Sequence, residues 1–336
     1  MNNFYFSSHQ TNKFFKKDYL YAATLFPTIL YKNKVGPHGG NSVSEDASLA
    51  QKKCFSEAIE RRALMFPTIK CNQKYLAYDI ITKTKNYILG KDLGYNSRMD
   101  STGTATHINS YCAIIHAIGE LIEKNALLRI WYKQDVKNIS DIGWNPSMNN
   151  SEKTYFLLND FFFPYYVVFA ATKDNTNFWH CGLGFSLGNL DKAKKAAYEE
   201  MKLIWFQNDI DKLNPDSPVK LNSDILVYWR WTESQKIHID NLIKNAQVKS
   251  FFELNNFDIE NIEDIGNLFT HSLKNLYIVF IPDPMFSGSF STIRCFSRDL
   301  ISCVPNKNLL TKLLTSSSIR FISKKDVKNN IDCPIV

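Results

Sequence analysis

The chain has 336 residues, of which 44% are hydrophobic and 14% aromatic, so it can bury an ample core and is not a disordered protein. Its net charge of +7 is a mild excess of 40 basic over 33 acidic residues, and no RNA- or DNA-binding motif accompanies it, so no nucleic-acid partner is expected. Seven cysteines without a Cys-x-x-Cys pair indicate free thiols and a cytoplasmic protein. There is neither a signal peptide nor an apolar stretch long enough to cross a bilayer, so we expect a soluble chain without a membrane partner.

The N-terminal part of the chain predicts a basic segment followed by a long helix. Residues 1–35 are rich in aromatic and basic side chains and lead into a turn-forming stretch. We expect the first helix to begin at Ser42 or Ser44, because Ser42 and Glu45 have the spacing of a capping box. The helical pattern continues to about Met65.

A strand and a second helix come next. Residues 75–83 have the composition of a strand, and a turn region follows them. The second helix is expected to be capped by Asn109 or Ser110 and to run to about Trp131. Polar residues after it indicate a loop.

The second half of the chain predicts more strands and a third helix. This helix is expected to be capped by Asn189 or Asp191, and a partly helical polar segment lies between two of the later strands. The predicted strands are 165–173, 178–186, 225–231, 276–282 and 290–297. Without a low-complexity linker to divide the chain, a single domain that mixes helices and strands is the simplest interpretation.

One pattern occurs in all three predicted long helices: an alanine, a small residue four positions later, and a glutamate three positions after that. The three copies are Ala50, Cys54 and Glu57; Ala113, Ala117 and Glu120; and Ala193, Ala197 and Glu200. Offsets of four and seven lie on one face of a helix, and a stripe of small residues is typical of a face packed closely against its neighbour. A carboxylate on such a face is costly unless a cation or several hydrogen bonds compensate it.

Two further glutamates, Glu60 and Glu123, follow the first two copies after three residues. A single pair of this kind is usually a solvated helix face, but its recurrence beside the same small residues argues for a shared site. Carboxylates that converge without histidine or cysteine suit Mg²⁺ with a nucleotide better than zinc. Each helix also follows a stretch rich in Gly, Ser or Thr that suits phosphate binding or merely caps the helix, and none is a Walker A loop.

Three blocks of the sequence resemble the YcaO family, in the family's order: FSEAIERRA, THINSYCAIIHAIGELIEKNALLRIW and GLGFSLGNLDKAKKAAYEEMKLIW. TIRCFSRDLISCVP resembles the family's late arginine-containing strand. The resemblance covers residues 36–305 and implies an α+β fold: a single YcaO-like domain in which mixed and antiparallel sheets pack with helices, with three glutamate-bearing helices around a nucleotide site. Residues 306–336 would be the C-terminal segment of the same domain.

The resemblance implies an ATP- and Mg²⁺-dependent enzyme that activates backbone amides of a peptide. The leading hypothesis is a cyclodehydratase subunit that phosphorylates amide oxygens of a ribosomally made precursor peptide and closes thiazoline or oxazoline rings. Other members of the family make thioamides or amidine rings with the same activation step. A third hypothesis is a nucleotide-binding accessory or scaffold protein without catalysis.

Matching to the family's motifs implies a set of site residues. The implied Mg²⁺ ligands are Glu57, Glu60, Glu120, Glu123 and Glu200. The implied nucleotide-binding residues are Lys53, Glu57, His116, Glu120 and Arg294. The chain departs from the family pattern at Lys53, His116, Asn125 and Leu203, and His116 has the alternative interpretation of a core histidine.

The resemblance also implies partners. The substrate would be a precursor peptide, and a separate protein would bind its leader, because only about 40 residues precede the first motif and a leader-binding module needs more. An FMN-dependent azoline dehydrogenase is a further expected partner. The enzyme itself would be a dimer or part of a hetero-oligomer.

Overall fold

A computed structural model describes most of the chain, and its helices and antiparallel sheets confirm the predicted α+β class. The described residues are 4–9, 19–25, 30–31, 34–35, 39–65, 72–93, 101–146, 153–213, 231–246, 262–283, 286, 288–301, 306–316, 319 and 321–335. The strands are β1 Phe4–His9, β2 Tyr19–Leu25, β3 Leu30–Tyr31, β4 Lys34–Val35, β5 Gly40–Ser44, β6 Lys74–Asp79, β7 Thr84–Leu89, β8 Thr104–His107, β9 Lys137–Asn138, β10 Thr154–Asn159, β11 Tyr165–Lys173, β12 Trp179–Leu187, β13 Tyr277–Ile281 and β14 Ser291–Phe296. The helices are α1 Ala47–Met65, α2 Ser110–Lys133, α3 Leu190–Leu213, α4 Glu233–Asn245, α5 Ile262–Phe269, α6 Lys307–Ser316 and α7 Lys324–Asn329.

The chain divides into two compact units. The first consists of residues 1–122 and 259–303, and the second of residues 123–258 and 304–336. Helix α2 runs through the boundary, so Glu120 and Glu123 are assigned to different units although they lie on one helix. The predicted segment boundaries near residues 35 and 305 stay predictions.

The first unit contains a three-stranded sheet, β1-β2-β5, and a five-stranded sheet, β7-β6-β13-β14-β8. Helix α1 packs closely against β5 through its small residues: a Cβ at Gly40 would lie 2.2 Å from the carbonyl oxygen of Cys54. The Cys54 thiol also donates to the Gly40 carbonyl at 3.0 Å, and the Ser42 hydroxyl donates to the carbonyl of Ala50. The predicted small-residue stripe of α1 is therefore confirmed as a close helix–strand contact.

The second unit is built on the four-stranded sheet β12-β11-β10-β9, against which α3 packs. Ala193 and Ala197 are fully buried and share a core cluster with aromatic and β-branched side chains of β10 and β11. A Cβ at Gly184 of β12 would lie only 2.1 Å from the amide nitrogen of Ala197. The small-residue stripe of α3 thus also packs closely against a strand. A side chain larger than alanine at Ala193 or Ala197 would not fit between α3 and β12.

The predicted start of α1 at Ser42 or Ser44 is wrong, because both serines lie in β5, which pairs with β2. The helix begins after Asp46, whose side chain accepts the backbone N–H groups of Ser48 at 2.8 Å and Leu49 at 3.1 Å. Strand pairing over a long sequence distance has overridden the local capping-box signal.

The caps of α2 and α3 are among the predicted residues. The Asn109 side chain accepts the backbone N–H of Tyr111 at 2.9 Å, and the Asn189 side chain accepts that of Lys192 at 2.8 Å. Asp191, the alternative cap of α3, instead accepts the backbone N–H of Trp144 at 2.6 Å.

Replacing Asn109 by Ala should lower the free energy of unfolding by about 1 kcal/mol, because two N–H groups of the first turn lose their acceptor. The matched control is Asn241→Ala at an exposed position inside α4, where the change should be neutral or slightly stabilising, because alanine has the higher helix propensity. Urea unfolding of the two variants measures the difference. Equal stability of both variants would contradict the assigned cap.

The predicted strands within the described residues are confirmed as β6, β11, β12, β13 and β14. Most of the strand predicted at 225–231 lies outside the described residues. The stretches rich in Gly, Ser or Thr that precede the three helices each contain strand residues, which belong to β5, β8 and the end of β12. In the part of the chain that the structure describes, no helix is both long and apolar enough to span a bilayer.

Candidate functional site

Glu57 is fixed between α1 and the strand that precedes it. Its Oε2 accepts the backbone N–H of Asn41 in β5 at 2.7 Å. Its Oε1 forms an ion pair with Arg61 at 2.5 Å, and Arg61 also donates to the carbonyl of Gly39 at 3.0 Å. The carboxylate therefore points to the β5 side of the helix, as the small-residue stripe predicts.

Glu120 is held in the same way in the second copy of the pattern. Its Oε2 accepts the backbone N–H of Thr104 in β8 at 3.0 Å. This donor precedes its glutamate by 16 residues, as Asn41 precedes Glu57. The two copies therefore share a structure as well as a sequence pattern: in each, a strand precedes the helix, and a backbone N–H of the strand donates to the glutamate of the helix.

Arg294 contacts Thr104, the same residue whose backbone N–H binds Glu120. Its Nη1 donates to the Thr104 hydroxyl at 2.8 Å, and the arginine is only 1% exposed. It lies on β14, which pairs with β8 and places Arg294 directly opposite Thr104. One threonine therefore orients a buried cation through its hydroxyl and a carboxylate through its N–H.

Glu60 lies within electrostatic range of Glu57 and Glu120, the other two candidate glutamates of the first unit. The pKa of Glu60 is raised well above its ordinary value, first by burial and then by the negative charges of Glu120 and Glu57. The positive charges of Arg61 and Arg294 oppose this shift. We call Glu57, Glu60 and Glu120 the carboxylate cluster.

The donor set of the carboxylate cluster fits Mg²⁺. Mutually repelling, partly buried carboxylates are stabilised by a hard divalent cation, which prefers oxygen ligands. Among the residues that the structure describes, no group of three or more His, Cys, Asp or Glu side chains is already arranged to hold a metal ion. The assignment of Glu57, Glu60 and Glu120 as Mg²⁺ ligands therefore stays a prediction.

Lys53 and His116 lie on α1 and α2 of the first unit, and both are exposed. The His116 ring stacks on His107 with 6.1 Å between ring centroids, and its Nδ1 lies 2.7 Å from the Cys112 carbonyl. Desolvation by the surrounding protein atoms lowers the pKa of His116, and the nearby His107 and Lys53 add to this shift, while the hydrogen bond with the Cys112 carbonyl opposes it. The exposure of His116 rules out the alternative of a core histidine.

Glu123 and Glu200 belong to the second unit. Glu123 is 9% exposed and lies 3.7 Å from the ammonium group of Lys124, whereas Glu200 is exposed on α3. Burial raises the pKa of Glu123 to about 7, with Glu200 adding to the shift and Lys124 opposing it. The two glutamates thus influence each other within their unit, as neighbouring carboxylates do.

Glu123→Gln should stabilise the protein at pH 8 by up to about 3 kcal/mol and have little effect at pH 4.5. A carboxyl whose pKa is raised from 4.5 to about 7 on folding binds its proton more tightly in the folded chain, so its ionisation costs stability as the pH rises through this window. Urea unfolding at both pH values measures the effect. The control is Glu233→Gln, whose side chain is 77% exposed, and a similar pH dependence there would contradict the assignment.

Sequence reasoning missed the residues that orient the glutamates. Asn41 and Thr104 contact the two glutamates through backbone N–H groups, which every residue type except proline has and which the sequence therefore does not mark. Arg61 lies within the block FSEAIERRA, but the sequence gives no reason to select it as a partner of Glu57. The constant spacing of 16 residues between donor and glutamate could have indicated the two donors once the strands were known.

Neither a protein-family model nor a curated protein sequence matches the chain. Solved structures do match. YcaO from Methanopyrus kandleri, bound with AMPPCP and Mg²⁺, is 11% identical, with a TM-score of 0.63 over 89% of this chain and 86% of that chain. The E. coli microcin synthetase McbBCD complex matches at 13% identity and a TM-score of 0.66 over 90% of this chain and 89% of that chain.

A heterocyclase in complex with substrate and cofactor matches at 12% identity, with a TM-score of 0.67 over 97% of this chain and 54% of that chain. These matches show that the chain has a YcaO-like fold, which confirms the predicted resemblance at the level of structure. Because they cover about 90% of the chain or more, they extend through both compact units.

Proposed function

We propose that this chain, with its YcaO-like fold, is an ATP- and Mg²⁺-dependent cyclodehydratase subunit. Its substrate would be a ribosomally made precursor peptide, in which it phosphorylates backbone amide oxygens and forms thiazoline or oxazoline rings. One observation carries the proposal: on this fold Thr104 contacts both Glu120, through its backbone N–H, and the buried Arg294, through its hydroxyl, and Glu57 is held against β5 by the same kind of backbone hydrogen bond.

The residues of the first unit would bind and neutralise the nucleotide's phosphates. Glu57, Glu60 and Glu120 would hold Mg²⁺, which when bound screens the negative charge of the phosphate oxygens. Arg294 is oriented by Thr104 and would neutralise charge on the transferred phosphoryl group. Lys53 and His116 are exposed on the same unit and would contact the nucleotide.

In the proposed reaction a Cys, Ser or Thr side chain of the peptide attacks the preceding carbonyl carbon and gives up its proton. The resulting oxyanion takes the terminal phosphoryl group of ATP. The phosphate then leaves with the former amide oxygen, and the C=N bond of the ring forms as the amide nitrogen loses its proton. Such a reaction requires orientation and charge neutralisation more than covalent catalysis, which an arginine and several carboxylates can supply.

Glu123 and Glu200 are the proposed Mg²⁺ ligands of the second unit. The buried carboxyl of Glu123, with its pKa of about 7, changes charge near neutral pH. A divalent ion would favour its ionised form.

The proposed partners follow from the same function. A separate protein would bind the leader of the precursor peptide, an FMN-dependent azoline dehydrogenase would oxidise the rings, and the chain would act as a dimer or in a hetero-oligomer. The E. coli protein that it resembles is a synthetase complex. We place the reaction in the cytoplasm, because the described cysteines, Cys54, Cys112, Cys181, Cys295 and Cys333, are free thiols.

Mass spectrometry of a precursor peptide incubated with the chain, its partner protein, ATP and Mg²⁺ tests the proposal. We expect the loss of one water mass for each ring formed, and phosphate release that depends on the peptide. A mass gain from exchange of oxygen for sulfur would instead identify a thioamide-forming enzyme. Nucleotide binding without phosphate release or a change in peptide mass would identify an accessory protein.

A further inference from the structure

A cleft of about 440 Å³ lies within the second unit, and none of the glutamates described above lines it. Its walls come from the start of β10, the end of β11, the start of β12 and one side of α4. This volume is in the range of sites that bind small ligands or short peptide segments. We call it the lysine cleft after Lys153, Lys173 and Lys244, which line it.

The lysine cleft carries an excess of positive charge. Its one acidic lining residue is Asp240, which pairs with Lys173 at 3.3 Å. Within the described residues, Lys153 and Lys244 form no ion pair, and both are exposed. Three ammonium groups around one cleft repel one another, so an anionic ligand would bind there favourably.

Two aromatic rings hold the lysines in place. The ammonium group of Lys153 lies 5.0 Å from the centroid of the Tyr155 ring, and that of Lys173 lies 5.2 Å from the centroid of the Trp179 ring. Lys173 and Trp179 are also directly opposite each other in the pairing of β11 with β12. These cation–π contacts orient two of the three charges before any ligand binds.

Trp179 is a buried aromatic residue of the cleft wall. The tryptophan is 3% exposed, and its indole N–H is buried without an acceptor among the described residues. The side-chain amide of Asn175, in the turn before Trp179, is a further polar group of the wall.

The arrangement discriminates between classes of anion. Single-stranded nucleic acids bind by stacking their bases on aromatic rings, but here the ring faces are taken by lysine ammonium groups. A single phosphate is bound best by an arginine fork or a helix N-terminus, and neither lines the cleft. Lysines on three separate elements instead suit carboxylates spaced along a chain.

We propose that the lysine cleft binds an acidic peptide segment, whose carboxylates lie between the ammonium groups of Lys153, Lys173 and Lys244. The side-chain amide of Asn175 would form a hydrogen bond with the peptide. This site is independent of the nucleotide chemistry, so its binding can be measured without ATP or Mg²⁺.

Fluorescence anisotropy with a labelled peptide of alternating glutamate and glycine tests this site. We expect the wild type to bind this peptide more weakly as salt is added, and to bind the same peptide with glutamine in place of glutamate far less. The double variant Lys153→Ala/Lys244→Ala should bind about tenfold more weakly, because it loses two charged contacts.

The matched control is Lys91→Ala/Lys328→Ala, which removes two exposed lysines outside the cleft and should leave the affinity unchanged. Equal affinity of the wild type and the Lys153→Ala/Lys244→Ala variant would overturn the proposal. So would tighter binding of a single-stranded oligonucleotide that is lost in the same variant. Because no nucleotide is present, the result does not depend on whether the chain turns over ATP.

Discussion

Glu120→Gln should reduce peptide-dependent ATP turnover by roughly a hundredfold or more while the fold stays intact. The amide oxygen of the new side chain can still accept the backbone N–H of Thr104, so the link between β8 and α2 is kept. What is lost is the negative charge, which the proposed Mg²⁺ site requires. Turnover is measured as phosphate release in the presence of precursor peptide and the partner protein.

A second readout separates this loss of charge from a structural defect. Glu120 contributes the largest charge effect on Glu60, so Glu120→Gln should lower the pKa of Glu60 towards its ordinary value in the metal-free protein. NMR titration of the Glu60 carboxyl carbon measures this shift. The control for both experiments is Glu233→Gln, an exposed glutamate of α4 in the second unit. Wild-type turnover in Glu120→Gln would contradict the assigned role of the carboxylate cluster.

Gly184→Ala should lower the free energy of unfolding by at least about 3 kcal/mol. Its added Cβ would lie 2.1 Å from the amide nitrogen of Ala197 and 2.7 Å from the carbonyl oxygen of Ala193. Both atoms belong to the helix backbone, so no side chain can rotate away and α3 must move off β12. The loss is measured by chemical denaturation, or by the yield of folded protein if the variant does not fold.

Gly288→Ala is the matched control, because a Cβ at Gly288 would meet no atom within 4 Å. This change should be neutral or slightly stabilising, since alanine has less conformational freedom in the unfolded chain. Equal stability of the two variants would show that α3 does not approach β12 as closely as described.

The close contacts between helices and strands could be predicted only in part from the sequence. The spacing of Ala193 and Ala197 predicts a helix face that packs tightly, and the structure confirms it. That the opposite surface is Gly184 on β12 could not be predicted, because helix periodicity does not identify what packs against the face. The start of α1 shows the same limit, since the pairing of β5 with β2 determines it and the local serines do not.

The candidate site was predictable where residue type carries the chemistry. Glu57 and Glu120 follow from their repeated position beside small residues, and the structure holds both against the preceding strands. Arg294 could be predicted as a site residue only from the family resemblance, because its contact with Thr104 joins residues that are 190 positions apart in the sequence. The role of Thr104 had no signal in the sequence, because its contact with Glu120 uses the backbone.

Isothermal titration of ATP into the wild type and into Glu60→Gln, each with Mg²⁺ and with a chelator, tests the central claim most directly. We predict that the wild type binds ATP only with Mg²⁺, and that Glu60→Gln binds it much more weakly under the same conditions. Binding of equal strength in all four titrations, or no binding to the wild type with Mg²⁺, would contradict the account.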